Sequence, residues 1–304
     1  MNISNILKKK KIKLVNIIND IPPWRLEKKF EQNTAIKSIR QTLNYYSHKY
    51  HSINKFLNII FSDANSGGLY GFFSKNFKRS VSTQYKNRIL YQYNYRDFLK
   101  YSDLNLSLSN YTQFLTKRFL KIDSEVWYPG VNSDLLLQIP KSSEIKYDII
   151  NISRIVPTKR QNMIVKAAKE LGLKILIVGG YHDKRLILDC EHYYLPNHID
   201  VLNKLNESRV YVDASIFEGF GMTPVEAAFL NKISIVSDTY VHKEVLGDYP
   251  IYFKRNDIND LIEKLKIVMN GDVTLNKESV EKIKNKYSLE KVGKNLLNYI
   301  ESLS

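Results

Sequence analysis

In the second half of the chain, short apolar runs and amphipathic helical runs take turns. YDIINISRI, KILIVGG, RVYVDAS and ISIVSD are strand-like, while RQNMIVKAAKELG, DVLNKLNES and TPVEAAFLN between them have helical character. In the first of these helices Met163, Ile164, Ala167, Ala168 and Leu171 fall on one face. VHKEVLG and IYF follow, and two amphipathic helices, NDINDLIEKLKIVMN and SLEKVGKNLLNYIESL, close the chain. Such alternation predicts α/β architecture around a parallel sheet. The first half repeats the pattern less regularly. KIKLVNIIND, FLNIIFSD, LNLSLS and SEVWYPGVN read as strands, and EKKFEQNTAIKSIRQTLNYYSH, NRILYQYNYRDFLKYSD and NYTQFLTKRFL as helices. LLLQIPKSSEIK, around Pro140, reads as the linker. The expectation is two Rossmann-like lobes, residues 1–138 and 139–287, the first of them small, with the closing helix at 288–304 free to pack back on the first.

A length of 304 residues suits two domains. The single cysteine, Cys190, excludes an internal disulfide framework and any multi-cysteine zinc site, and points to a reducing, cytoplasmic setting. No apolar run reaches the roughly 20 residues that span a bilayer. NILKKKKIKLVNIIND has a basic start but a short apolar stretch, and reads as a first strand better than as a signal peptide. The net charge of +15 is unevenly spread. Residues 1–140 hold 22 basic and 9 acidic side chains, and residues 141–304 hold 24 and 22. One-sided charge of this kind points to an anionic partner for the first half, such as a membrane surface, nucleic acid or an acidic substrate. Lysine used for solubility is the competing reading, but it leaves the asymmetry unexplained.

Ligands of open parallel sheets bind beyond the carboxyl ends of the strands. Three loops of the second half lie there. SRIVPTKRQ carries Arg154 and Lys159, with Thr158 as a helix cap and Gln161 three residues on in a capping-box arrangement. Two cations beside a helix N-terminus make a seat for a diphosphate; a solvated basic turn is the alternative. EGFGMTPVE places Glu218 and Glu226 on either side of a glycine turn. Gly219 and Gly221 permit close approach of a ligand, and Thr223 and Pro224 fit the cap and first position of a helix. Glu226 is then either a ligand for hydroxyls or the acid of a capping box. Glu218 stands at a strand end with no structural duty and can accept hydrogen bonds from sugar or ribose hydroxyls. In VGGYHD, Gly179 and Gly180 leave room for a nucleotide.

YPGVN, SRIVPTKRQN, ILIVGG, DASIFEGFGMTPVEAA, SIVSDTYVHKEVLGD and KNKYSLEKVGKNLLNYI occur in an order that resembles the retaining GT-B glycosyltransferases, specifically glycosyltransferase family 4, the glycosyl transferases group 1 type. The resemblance covers roughly residues 105–304. It implies a GT-B fold, two Rossmann-like domains facing across a cleft, and transfer of a hexose from a UDP- or GDP-sugar to a glycan, lipid-linked or protein acceptor. It implies that Arg154 and Lys159 hold the diphosphate, that Glu218 contacts the transferred sugar, and that Glu226 binds the ribose. Gly219, the amides of Phe220, Gly221, Met222 and Thr223, and Gly180 would complete the donor pocket. No metal or cofactor is expected, since Arg154 and Lys159 would stabilise the departing anion. His182, His192 and His198 form no convincing ligand set.

The first half matches that family poorly. No glycine precedes Gly67, and the strand FLNIIFSD ends in Asp63, where an acceptor-activating group would sit. A capping Asp in a turn is the competing reading of Asp63, and His48 and His51 are alternatives on a helix surface. The glycines Gly67, Gly68 and Gly71 are an alternative acceptor-side loop. The basic first lobe would then bring the protein to an anionic membrane as a peripheral protein. The rival function class is a non-catalytic nucleotide-sugar-binding or nucleic-acid-binding protein. Against nucleic acid, there is charge and tyrosine but no recognition motif.

Overall fold

The computed structural model describes residues 15–18, 99–100, 102–137, 139, 144–181, 188–194 and 197–303. The chain divides into two compact units. The smaller comprises Met1–Asn16, Ile21–Asn105 and Leu115–Asp123, most of it outside the described residues. The larger comprises Ile17–Asp20, Leu106–Phe114 and Ser124–Ser304 and holds the main sheet.

Strands β1 (Val15–Ile18), β2 (Leu104–Ser107) and β3 (Glu125–Val126) form a three-stranded sheet in that order. β2 and β3 run parallel, with Leu106 opposite Glu125 and Ser107 opposite Val126. Helix α1 (Asn110–Leu115) follows β2 and runs into a π-helical turn, Thr116–Leu120. α2 (Ser133–Leu137) leads towards the main sheet.

That sheet is built from β4 (Tyr147–Ile152), β5 (Ile175–Val178), β6 (Glu191–Tyr193), β7 (Ser208–Asp213), β8 (Ile233–Ser237) and β9 (Ile251–Phe253). Its order is β6-β5-β4-β7-β8-β9, and every pairing is parallel. This is the doubly wound order, in which the chain starts in the middle, winds to one edge, then returns to wind to the other. The connecting helices are α3 (Gln161–Glu170), α4 (His198–Asn206), α5 (Met222–Phe229), α6 (Tyr240–Leu246) and α7 (Ile258–Met269). α8 (Lys277–Tyr287) and α9 (Leu289–Glu301) close the unit.

The near-continuous apolar runs follow from burial of both sheet faces. Ile149, Ile175, Ile177, Val210, Val212 and Ile235 pack on one face against α3 and α7. Their alternates Ile150, Leu176, Val178, Tyr211 and Val236 pack on the other against α4, α5, α6 and α8. Strand geometry thus splits each run residue by residue between two cores.

Two elements escaped the sequence reading. β6 is a three-residue edge strand, too short to show a period, and α8 buries little beyond Ser279, Val280, Ile283 and Tyr287. The strand expected over SEVWYPGVN is confined to Glu125 and Val126. Beyond it the chain packs against α9: Trp127 Nε1 donates to the Val292 carbonyl (3.1 Å), and the Leu289 amide donates to the Val131 carbonyl (3.0 Å). The start of α1 and Tyr128 are tied to α6 by one carboxylate. Glu244 accepts from the Asn110 amide (2.6 Å), the Tyr111 amide (3.2 Å) and the Tyr128 hydroxyl (2.9 Å). Among the described residues no helix is long and apolar enough to cross a membrane.

Gly179 follows β5 with φ of +144°, and a Cβ added there would lie 2.1 Å from the Ser153 carbonyl oxygen. Backbone meets backbone, so no side chain can yield. Gly179→Ala is expected to cost about 1–3 kcal/mol or more of stability, read as a lower denaturant midpoint with an unchanged slope; an unaltered midpoint would refute the close approach.

Candidate active site

β4 and β7 are neighbours at the point where the winding reverses, so the loops that leave their carboxyl ends diverge to opposite faces and open a crevice. A cavity of about 360 Å³ lies there. Arg154, Lys159, Glu218, Gly219, Phe220, Gly221, Met222 and Thr223 line it, with Leu108, Ser153 and Asp213.

The loop after β4 is held from beneath by a chain of polar side chains. Asn151, fully buried in β4, donates to the Val212 carbonyl (2.8 Å) and accepts from Ser153 Oγ (2.8 Å). Gln161 Nε2 in turn reaches Ser153 Oγ and the Arg154 carbonyl, each at 2.8 Å. The Ile216 amide donates to the Thr158 carbonyl (2.9 Å) and couples this loop to the one after β7. The expected capping box of Thr158 and Gln161 does not form. Pro157–Lys159 makes a tight turn, Arg160 turns left-handed at φ +55°, and α3 starts only at Gln161, whose side chain is spent on Ser153 and Arg154.

The loop after β7 differs in the same way. Gly221, at φ +86°, is the residue before α5, and no side chain caps that helix. Met222 is its first residue, so Thr223 and Pro224 fall two positions later than expected, and the amides of the first turn are left to a ligand rather than to a threonine hydroxyl. Glu226 is therefore not the acid of a capping box. It is buried on α5 and pairs with His198 Nε2 (2.8 Å) at the start of α4. Glu226 and Gly180 stand outside the residues that line the cavity; the Gly180 carbonyl accepts from the Ile155 amide (2.8 Å).

The centre of the site is ionic. Lys159 Nζ pairs with Glu218, the two side chains only 16% and 12% exposed. Asp213, at the end of β7, lies behind them and is almost fully buried. Burial works against the Lys159 ammonium, but Glu218 and Asp213 outweigh it and hold its pKa above the ordinary value, with Arg154 opposing them weakly. Burial likewise works against the Asp213 carboxylate, yet Lys159, His242 and hydrogen bonds from Ser215 hold its pKa below the usual range. The Ser215 amide donates to it at 2.8 Å and the Tyr211 hydroxyl at 3.2 Å. Asp213, Glu218 and His242 each bring one polar atom within 4.8 Å of the others. The Lys159 ammonium serves these carboxylates, so the three are not assigned as metal ligands.

Sequence reasoning therefore found Arg154, Lys159 and Glu218, which the fold brings together. It missed Asp213, legible only as a carboxylate closing an otherwise apolar strand, and His242, which carried no signal beyond its place in VHKEVLG. Asp63, His48, His51, Gly67, Gly68, Gly71 and His182 lie outside the described residues.

A family model described as glycosyl transferases group 1 matches residues 134–287. The poly(ribitol-phosphate) alpha-N-acetylglucosaminyltransferase of Staphylococcus aureus (strain COL) is 26% identical over 182 residues, which is 54% of this chain and 37% of that protein. The chain thus spans well under half of that relative's length. Solved structures share the fold. A Staphylococcus aureus TarM mutant in complex with fondaparinux, alpha-GlcNAc-glycerol and UDP aligns over 73% of this chain and 48% of its own, with a TM-score of 0.57 and 20% identity. HepE from Anabaena, in complex with UDP and glucose, aligns over 69% and 67%, with a TM-score of 0.57 and 15% identity. Sucrose-phosphate synthase from Thermosynechococcus elongatus aligns over 76% and 65%, with a TM-score of 0.58 and 16% identity.

Lys159→Met removes the cation between the buried Asp213 and the largely covered Glu218. It is expected to cost about 3–5 kcal/mol near neutral pH. In the wild type the contribution of Asp213 is complete above the ordinary carboxylate pKa and fades as pH falls through its depressed folded value. In the variant the deficit should shrink as acid neutralises the carboxylates. Thermal unfolding across pH 4–8 checks this, and a pH-independent deficit would contradict the charge account.

Proposed function

From the premise that the chain belongs to the glycosyl transferases group 1 family, we propose that it transfers a hexose from a nucleoside-diphosphate sugar to an acceptor hydroxyl, with retention of configuration and without a metal. The observation that carries this reading is the pairing of Lys159 with Glu218 beside Arg154, in a cavity at the switch point of a doubly wound sheet. The proposed donor is a UDP-sugar, with UDP-N-acetylglucosamine first, in keeping with the Staphylococcus aureus relative.

In this reading the diphosphate lies over the Gly219–Thr223 backbone at the uncapped start of α5, where amides and the helix dipole favour an anion. Arg154 offers forked donors to a phosphate, and Lys159 leaves Glu218 to join it. Glu218, released, accepts hydroxyls of the transferred sugar, and Glu226 accepts those of the ribose, with His198 fixing its carboxylate. The bond from the anomeric carbon to the diphosphate oxygen breaks as Arg154, Lys159 and the α5 amides take up the developing charge. The acceptor oxygen attacks from the same face and its proton passes to the departing diphosphate. Asp63 remains the candidate group on the acceptor side.

The acceptor proposed is anionic or lipid-linked. The +13 balance of residues 1–140, from 22 basic and 9 acidic side chains, supports this, since about 1 kcal/mol per well-placed cation attracts such a surface. The protein would then work on the cytoplasmic side of a membrane as a peripheral protein. Binding to vesicles is expected to rise with anionic lipid and fall with salt; equal binding to neutral vesicles would remove the membrane part of the reading.

UDP at a hundred times its dissociation constant should stabilise the protein by about 2.7 kcal/mol in thermal unfolding. Slow hydrolysis of UDP-N-acetylglucosamine without acceptor is expected in the wild type. Arg154→Ala should reduce it by about 10²–10³-fold, and Glu218→Ala should also suppress it. UDP binding with no turnover of any sugar nucleotide would favour a non-catalytic sensor instead.

A further inference from the structure

Among the described residues, two buried side-chain atoms have no hydrogen-bond partner, Asn105 Oδ1 and His242 Nε2. Only the second lies at the site. The His242 ring is fully buried in the first turn of α6. Its Nδ1 is 2.8 Å from the Ser237 carbonyl oxygen, which can only accept, so Nδ1 carries a proton and donates it. The ring lies beneath the glycine turn: a Cβ built on Gly221 would be 3.7 Å from its Cδ2 and 3.8 Å from its Nε2. One ring nitrogen lies within 4.8 Å of carboxylate oxygens of both Asp213 and Glu218. With Nδ1 committed, Nε2 is the nitrogen able to serve them.

In the free site Glu218 has a partner in Lys159. A bound diphosphate removes it, because the ammonium turns to the phosphate. Glu218 and the buried Asp213 are then two like charges within 4.8 Å of each other, and a neutral Nε2 offers them a lone pair rather than a donor. A proton at Nε2 turns that repulsion into a hydrogen bond. We propose that His242 is a positioning residue that takes over Glu218 when the donor draws Lys159 away, and that it gains one proton from solvent at Nε2 as it does so. This rests on the donor-site reading above.

The other ionisable groups around the ring are accounted for. Asp213 faces it from β7 and Glu218 from the following loop; Lys159 and the Tyr211 hydroxyl act on those two carboxylates rather than on the ring. On its own helix Lys243 is 3.7 Å from Asp238, and Glu244 is spent on the amides of Asn110 and Tyr111. The Tyr252 hydroxyl donates to the His242 carbonyl (3.1 Å), not to the ring. Among the described residues the other cation lining the cavity is Arg154, which in the proposed donor complex is engaged with the phosphate.

The test is calorimetry of UDP binding in buffers of different ionisation enthalpy, on the full chain, for the wild type and His242→Gln. Glutamine donates an N–H to a carboxylate without titrating. The variant should bind UDP, while the wild type takes up close to one proton more per UDP bound. His242→Phe, which cannot donate, should weaken turnover of UDP-N-acetylglucosamine by about 10–100-fold, with glutamine recovering most of the loss. Identical proton balance in wild type and His242→Gln overturns the inference while leaving the donor site intact. Should the variants not fold, nitrogen-edited spectra of the wild type decide: of the six histidines, one other than His198, identified through His198→Asn, should become doubly protonated on adding UDP, and no such change overturns the inference. No UDP binding to the wild type overturns the donor-site reading and this inference together.

Discussion

The Lys159 ammonium is the cation on which the arrangement of the site depends. Asp213 closes a central strand almost without solvent, and an ionised carboxylate in that position is stable only with a partner charge and donors. Lys159 supplies the charge, and Ser215 and Tyr211 supply donors. At about 4 Å and an effective dielectric near 20, such a pair is worth roughly 4 kcal/mol of direct attraction, large against the stability of a whole domain. Lys159 comes from the loop after β4 and its partners from β7 and the loop beyond, so the ion also joins the two halves of the winding.

This explains why the site stands where it does. Doubly wound order places β4 and β7 side by side and sends their following chain to opposite faces. The crevice is a result of topology, and buried side chains make it rigid: Asn151, Ser153 and Gln161 bind the first loop to the sheet, and the Ile216 amide ties the second loop to the first. The mobile element in the proposed chemistry is then small, a lysine side chain exchanging a carboxylate for a phosphate. In that proposal the resting ion pair holds both groups ordered until a donor exchanges it.

Much of this was legible in the sequence because the physics behind it is local. Apolar runs of strand length between helical periods require a parallel sheet, and Arg154, Lys159 and Glu218 could be placed at strand ends from those runs alone. What was not legible depends on distant partners. The cap expected of Thr158 failed because Gln161 is drawn to Ser153 and Arg154 instead. The cap expected of Thr223 failed because Gly221, free to take φ of +86°, starts α5 earlier. His242 looked like one polar residue on a short helix, and its position under the glycine turn follows from β8 and α6, not from its neighbours in sequence. The family relation covers residues 134–287, which is where the sequence reading was strongest; Asp63 and the expected acceptor side lie outside the described residues.

A crystal structure with UDP-N-acetylglucosamine bound tests the central claim most directly. The diphosphate should lie over the Gly219–Thr223 backbone within hydrogen-bond reach of Arg154 and of a Lys159 no longer paired with Glu218, whose carboxylate accepts from the sugar while it stays beside Asp213 and His242. A nucleotide bound elsewhere, with the Lys159–Glu218 pair intact, would contradict it.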